Sequence, residues 1–294
     1  MKNIAVVHPT KWTPKSTVAS AHLSKFVADQ SGGLLIDTKE MCDDTSYDVL
    51  FFVNGRFLFC DFRDECVTLV NNAKRVIWIQ NDYRGLIPSQ LKHLRGKVEM
   101  WTTCPDNGTY INWNQLTYYS YLRELPQPKK KIDGLFYWGS FRKGREKSFD
   151  KYFKDTNYTI HISTSSNGSK GFLGMGEKNI KVYQPFESPA SMLSFKTTIY
   201  LEDDKSHIQF HSLANRFYEA LSAGLCILVD EQSISAFEKS GLKIDPFWIV
   251  HGKEDVEKKL AYSDKIKTDQ QKEWDKDYKK DLINDFQKLL KEVL

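Results

Sequence analysis

The stretch LANRFYEALSAGLCILVDEQ, Leu213 to Gln232, decides the fold. Its first half carries apolar residues at helical spacing: Leu213, Phe217, Ala220 and Leu221. Its second half, Leu225 to Val229, is a continuous apolar run of strand length. Gly224 stands between them, where a helix can stop tightly. A helix that passes directly into a buried strand belongs to a parallel sheet covered on both faces. Two residues sit oddly in that picture. Arg216 and Glu219 share a helix face, since they stand at i and i+3. Such a pair is either an intrahelical ion pair worth about 0.3–0.5 kcal/mol or a binding pair. In the second case an arginine near a helix start forks onto a phosphate, and a carboxylate one turn later accepts from a ribose diol.

Outward from this stretch the same alternation recurs. Upstream, NIAVVH, GLLID, YDVLFFVNG and RVIWIQND read as strands, with helices over Thr17–Gln30 and Cys60–Ala73 between them. RELPQPKKKIDG, with its prolines and basic residues, reads as an interdomain linker. Beyond it, GLFYWGS, YTIHIST, KVYQPF, TTIYLED and FWIVHG read as strands and Glu146–Lys154 as a helix. Ser163–Gly176 is rich in Gly, Ser and Asn and reads as a flexible loop. The tail from Asp255 is helical and charged, with Trp274, Tyr278, Leu282, Phe286, Leu289 and Val293 spaced for one apolar face. The expected division is an N-terminal Rossmann-like domain over 1–126, a C-terminal Rossmann-like domain over 127–270, and a helix over 271–294 that packs back on the first.

Composition sets the class. The chain has 294 residues, 40% hydrophobic and 27% charged, the profile of a soluble globular protein with room for two domains. No apolar run approaches the ~20 residues of a membrane span, and MKNIAVVHP is too short for a secretory leader. A cytoplasmic location is expected. Five cysteines without a C-x-x-C pair indicate neither a disulfide framework nor a zinc site; Cys226 reads as a small core residue. A net charge of +4 does not by itself argue for nucleic acid. The abundant aromatic residues suit ring stacking and an ordinary core equally.

Three further elements bear on chemistry. FYWGSFRKGRE, Phe136 to Glu146, ends a strand at Gly139-Ser140 and opens a helix through a basic loop with Arg142 and Arg145. Glycine there allows close backbone approach, and the serine and arginines suit an anion; the plain alternative is a surface turn. The spacing is not that of a P-loop. Asp82, just beyond a buried strand, is either a general base or a turn cap. His22 falls on the first helix, where a histidine is usually structural.

The elements LFYWGSFRKGRE, NRFYEALSAGLCILVDE and IQNDYRGLIPSQ resemble, in order and spacing, the DNA β-glucosyltransferases of T-even bacteriophages; YDVLFFVN and STVASAHL agree more weakly. The resemblance implies an α/β GT-B fold, two Rossmann-like domains facing across a cleft. It implies transfer of a sugar from a UDP-sugar to the hydroxymethyl group of 5-hydroxymethylcytosine in double-stranded DNA, with inversion and with the base flipped out. Asp82 then matches the general base. Arg142 and Arg216 match pyrophosphate ligands, Glu219 the ribose ligand, and Ser140 lies in the phosphate loop. Arg145 matches a second phosphate arginine, across a loop one residue shorter. Val18 joins the UDP-sugar site, and Arg56, Arg84, Lys129 and Lys130 are assigned to DNA. His22 stands where the family has a glutamate beside the sugar, so a pentose such as arabinose competes with glucose; its imidazole is also a second candidate proton acceptor. A divalent ion, Mg or Mn, is compatible with the resemblance and not evident in the residues. A monomer without a membrane partner is expected. A GT-B enzyme acting on a saccharide or lipid, and a non-catalytic DNA-binding relative, remain the alternatives.

Overall fold

A computed structural model describes residues 2–8, 19–37, 45–53, 63–80, 96–102, 109–183, 189–203, 213–275 and 278–294. The chain divides into two compact units, Met1–Tyr118 with Lys279–Leu294, and Tyr119–Tyr278. Among the described residues no helix is long and apolar enough to cross a membrane.

The first unit contains β1 (Ile4–His8), α1 (Ala19–Ser31), β2 (Leu34–Asp37), β3 (Tyr47–Val53), α2 (Arg63–Asn72), β4 (Ala73–Gln80), β5 (Val98–Thr102) and β6 (Thr109–Tyr110). Helix α3 (Trp113–Tyr121) follows and runs across the boundary between the units. The strands form one parallel sheet in the order β2-β1-β3-β4-β5-β6. β3 and the second half of β4 are buried almost throughout, as their unbroken apolar runs require. Ala5, Val7, Leu50, Phe52, Val76 and Trp78 form the core on one face. The last helix of the chain, α10 (Tyr278–Val293), sets Phe286 against Trp101 and Phe26, with ring centroids 6.0 and 5.2 Å apart.

The second unit contains β7 (Ile132–Trp138), α4 (Glu146–Phe153), β8 (Ile160–Ser163), α5 (Ser166–Gly174), β9 (Ile180–Tyr183), β10 (Phe195–Tyr200), α6 (Asn215–Ser222), β11 (Cys226–Asp230), α7 (Ile234–Lys239), β12 (Ile249–Val250), α8 (Lys253–Leu260) and α9 (Ser263–Asp275). Its sheet is again parallel, in the order β12-β11-β10-β7-β8-β9. From β7 the chain builds outward through β8 to β9. It then returns to the other side of β7 and builds outward again from β10. The carboxyl ends of β7 and β10 therefore diverge at a topological switch point, the place where such sheets bind ligands.

The opening stretch folds as its pattern demands. Gly224 takes φ +66°, its N–H reaches the Leu221 carbonyl at 3.1 Å, and the Leu225 N–H reaches Ala220 at 3.0 Å. This is a Schellman stop, and it delivers Cys226 straight into β11. Lys131 adds to the stop by donating to the Ala223 and Gly224 carbonyls at 3.1 and 3.3 Å. One member of the lysine run is therefore a helix cap, whereas Lys129 and Lys130 are exposed. At the far edge, β12 pairs with Val229 and Asp230 of β11. Below that, Gln270 of α9 takes the place of a strand: its amide accepts from Ile227 N at 2.9 Å and donates to Ile227 O at 2.6 Å.

Three sequence expectations need correction. The stretch read as the Ser163–Gly176 loop is mostly helix α5. Ser165 caps it, its side chain accepting from Gly168 N. Its glycines, poor helix formers, are held by packing: Phe141 fills the space that a side chain on Gly171 would take. The charged tail does not present one apolar face. Trp274 on α9 packs on Phe217, Phe237 and Trp248 of the second unit, whereas Phe286, Leu290 and Val293 on α10 are buried in the first. The expected linker ends early, because Ile132, Asp133 and Gly134 already belong to β7.

Candidate functional site

The site is built at the switch point of the second unit. Strand β7 is anchored by aromatic packing, with Tyr137 at 5.4, 5.6 and 5.9 Å from the rings of Phe149, Phe153 and Phe172. The aromatic abundance of this region is therefore core. Immediately after β7 the backbone turns at Gly139, φ +151°, and its N–H donates to the Ser163 carbonyl at 3.1 Å. Ser140 follows, half-buried, and then Phe141, whose ring lies 5.3 and 5.0 Å from Phe149 and Phe172. The core thus grips the loop at Phe141 and leaves its neighbours Ser140 and Arg142 toward the surface.

Arg142 is exposed, its side chain 60% accessible, with Nη1 4.0 Å from the Asp203 carboxylate. Arg145 differs sharply. Its side chain is 2% accessible, and it donates to the Glu202 carboxylate and, at 3.3 Å, to the Tyr137 hydroxyl. Asp203 lies 3.7 Å from it. Arg145 therefore faces inward, bound to protein groups.

Arg216 enters from the other side of the switch point, in the first turn of α6. The helix start is fixed by the Ala214 N–H donating to the Tyr200 hydroxyl at 2.9 Å. The Arg216 Nε lies 2.8 Å from Glu202 Oε1, and Nη1 donates to the Tyr137 hydroxyl at 2.8 Å and the Leu201 carbonyl at 3.4 Å. Its guanidinium also lies over the Tyr137 ring, 5.5 Å from the centroid. Burial opposes the Arg216 charge, but Glu202, then Tyr137 and Tyr200, outweigh it and hold the guanidinium above its ordinary range. Burial, reinforced by Glu202, pushes the Tyr200 hydroxyl up. Unlike Arg145, Arg216 keeps 14% of its side chain accessible. Glu219, one turn further along α6, is 5% exposed.

The structure thus brings Ser140, Arg142, Arg145 and Arg216 together around one loop and one helix start. The ion-pair alternative for Arg216 took Glu219 as its partner; among the described residues its salt bridge is to Glu202. Glu202, which sequence reasoning passed over, is the residue that joins the two motifs. Its one signal was a carboxylate directly after the apolar strand TTIYL. His22 lies half-buried on α1 of the first unit. Val18, Arg56, Asp82 and Arg84 lie outside the described residues. Among the described residues no three His, Cys, Asp or Glu side chains converge on a metal position. Glu202 and Asp203 already face guanidinium groups, so these carboxylates do not fit a protein-held divalent ion.

No protein-family model and no curated protein sequence matches the chain. Solved structures do match over its whole length. One is a DNA-modifying β-glucosyltransferase solved with and without uridine diphosphoglucose: TM-score 0.61, 16% identity, covering 99% of this chain and 97% of the other. The T4 phage β-glucosyltransferase bound to UDP and Mn2+ matches with TM-score 0.64 and 14% identity over the same shares. An α-glucosyltransferase bound to UDP and a 13-mer DNA matches with TM-score 0.52 and 11% identity, covering 97% of this chain and 94% of that one. The chain therefore has the fold of these glucosyltransferases.

Proposed function

We propose that a chain of this fold, with this arginine site at the switch point of its second unit, is a UDP-sugar-dependent DNA glycosyltransferase. The observation that carries the reading is the approach of Arg216 to the Gly139 loop, with a helix start, an exposed Arg142 and a half-buried Ser140 around it. These groups suit a diphosphate: two guanidiniums, a hydroxyl and the positive end of α6. Glu219, three residues beyond Arg216, is the acceptor for the ribose. The solved glucosyltransferases of the same fold were captured with UDP, UDP-glucose or DNA, which supports the donor and the acceptor class.

In the proposed reaction, Asp82 takes the proton from the hydroxymethyl oxygen of a 5-hydroxymethylcytosine flipped out of the duplex. That oxygen attacks the anomeric carbon from the side opposite the UDP, and the bond to the departing phosphate oxygen breaks. Arg142 and Arg216 stabilise the charge that develops on UDP. The result is inversion at the sugar. Because His22 replaces the glutamate of the similar glucosyltransferases, a pentose such as arabinose is the alternative to glucose. Arg56, Arg84, Lys129 and Lys130 serve the DNA backbone.

The test is UDP release on DNA containing hydroxymethylcytosine, on unmodified DNA, and on free saccharides, with UDP-glucose and UDP-arabinose as donors. Release confined to the modified DNA supports the reading, and nucleoside mass spectrometry then identifies the sugar. Release on saccharides alone, or DNA binding without release, overturns it.

A further inference from the structure

Among the described residues, Glu202 is the one acid that touches both arginine motifs. It stands two residues beyond the end of β10, 3% exposed, and its two carboxylate oxygens are divided between them: Oε2 takes Arg145 and Oε1 faces Arg216 Nε at 2.8 Å. The Tyr137 hydroxyl accepts from both guanidiniums as well. Two like charges would otherwise drive each other apart at this separation. With Asp203 3.7 Å from Arg145 and 4.0 Å from Arg142, three guanidiniums face two carboxylates and the cluster keeps one net positive charge. The arginines are not equivalent, because Arg145 is sealed and Arg216 retains an accessible face.

We propose that Glu202 is the positioning residue of this site, holding Arg216 in a fixed direction against the Gly139 loop, with Arg145 acting through Glu202 as the buried counterweight. The inference rests on the reading of the site as a diphosphate site and deepens it. An arginine side chain is long and flexible, and an anion that must first order it binds less tightly. Glu202 removes that cost in advance. Its own charge opposes an anion, so it is an awkward choice for a residue valued only for charge.

That opposition supplies the test. Glu202→Gln raises the positive charge of the cluster by one, and Glu202→Asp keeps the charge but draws the carboxylate back by one methylene. On charge alone, Glu202→Gln binds anions more tightly and Glu202→Asp binds them as before. On positioning, both bind more weakly, by about tenfold or more, the worth of a hydrogen bond to a charged group. Calorimetry with the full chain, using inorganic pyrophosphate and UDP in parallel, reads the sign. Circular dichroism in the same buffer reports folding, and Glu202→Asp carries the test if the buried change in Glu202→Gln prevents it. The double variant Glu202→Gln with Arg216→Ala is expected to bind no more weakly than Arg216→Ala alone, because Glu202 acts through that side chain. Unchanged or tighter pyrophosphate binding in both Glu202 variants overturns the proposal, as does additivity in the double variant. Wild-type protein that binds pyrophosphate but not UDP refutes the nucleotide reading and leaves the positioning role to be judged on pyrophosphate. Wild-type protein that binds neither refutes both.

Discussion

Gly139 and Arg216 meet across the switch point: a Cβ added to Gly139 would come within 2.8 Å of Arg216 Nη1. It would also lie 3.1 Å from the Tyr137 hydroxyl. The glycine therefore serves twice, for its φ of +151° and for the room it leaves to the guanidinium. Gly139→Ala is expected to cost about 1–3 kcal/mol for the backbone alone and to displace Arg216. Urea unfolding reads the first effect. Calorimetry reads the second as UDP affinity about tenfold lower. A stably folded Gly139→Ala with wild-type UDP affinity would detach Arg216 from the diphosphate.

The loop is held from behind as well. A Cβ on Gly171 would lie 2.3 Å from Phe141 Cγ, an impossible contact unless the ring moves. Phe141 is flanked by Ser140 and Arg142, so its movement reaches both. Gly171→Ala gains helix propensity but overpacks the site, and a net loss of about 1–3 kcal/mol is expected in thermal or urea unfolding. UDP affinity should fall with it. Gly174, by contrast, has open space around its Cβ position, and Gly174→Ala should leave UDP affinity as it was.

A pH effect on stability is expected from the first unit. His8 ends β1, is 1% exposed, and its Nδ1 has no hydrogen-bond partner among the described residues. Burial, partly offset by Asp37, lowers its pKa from 6.5 to about 4. The unfolded chain therefore binds a proton between these values that the folded chain refuses. The stabilising effect is complete above pH 6.5 and is lost as pH falls through 4. At about 1.4 kcal/mol per pH unit, up to about 3 kcal/mol of unfolding free energy should disappear over that window. Urea titrations at several pH values check this against His8→Asn, whose curve should be flatter there. Parallel curves would mean that His8 is protonated in the folded state.

Asp82 separates catalysis from folding. Asp82→Asn retains size and hydrogen-bonding reach and removes the proposed base. Transfer to hydroxymethylated DNA is expected to fall by about 10²–10⁴-fold, with UDP affinity near wild type. An aspartate that merely caps a turn predicts the contrary, because asparagine caps about as well. Transfer within a few-fold of wild type would pass the role of proton acceptor to His22.

How far this was legible depends on range. The strands, the glycine stop at Gly224 and the arginines of both motifs follow from local pattern, because periodicity and helix termination act over a few residues. Glu202 does not, since its partners Arg145 and Arg216 come from different elements and a carboxylate after an apolar strand looks like any solvated turn acid. The i, i+3 spacing of Arg216 and Glu219 drew attention to the right helix but gave no sign of the Arg216–Glu202 pair. Helix α5 was hidden because its composition is that of a loop; Phe141 supplies the packing that its own residues lack. Strands β5 and β6 and helix α3 gave too little periodicity to be separated from their surroundings. Trp274 and Phe286 have the spacing of one helical face, and only three-dimensional structure assigns them to different units.

Gln270 carries a consequence for self-association. A parallel sheet that ended at the lower half of β11 would offer a free backbone N–H and C=O at Ile227, and such edges recruit strands from other molecules. The Gln270 side chain satisfies both groups with the geometry of a neighbouring peptide, yet it cannot propagate the ladder, because it is a single amide carried on a helix. The edge is closed at the cost of one residue, and closed reversibly only if α9 lifts away. Loss of α9 docking would thus expose a template for intermolecular pairing, and the same glutamine that completes the fold guards it against aggregation.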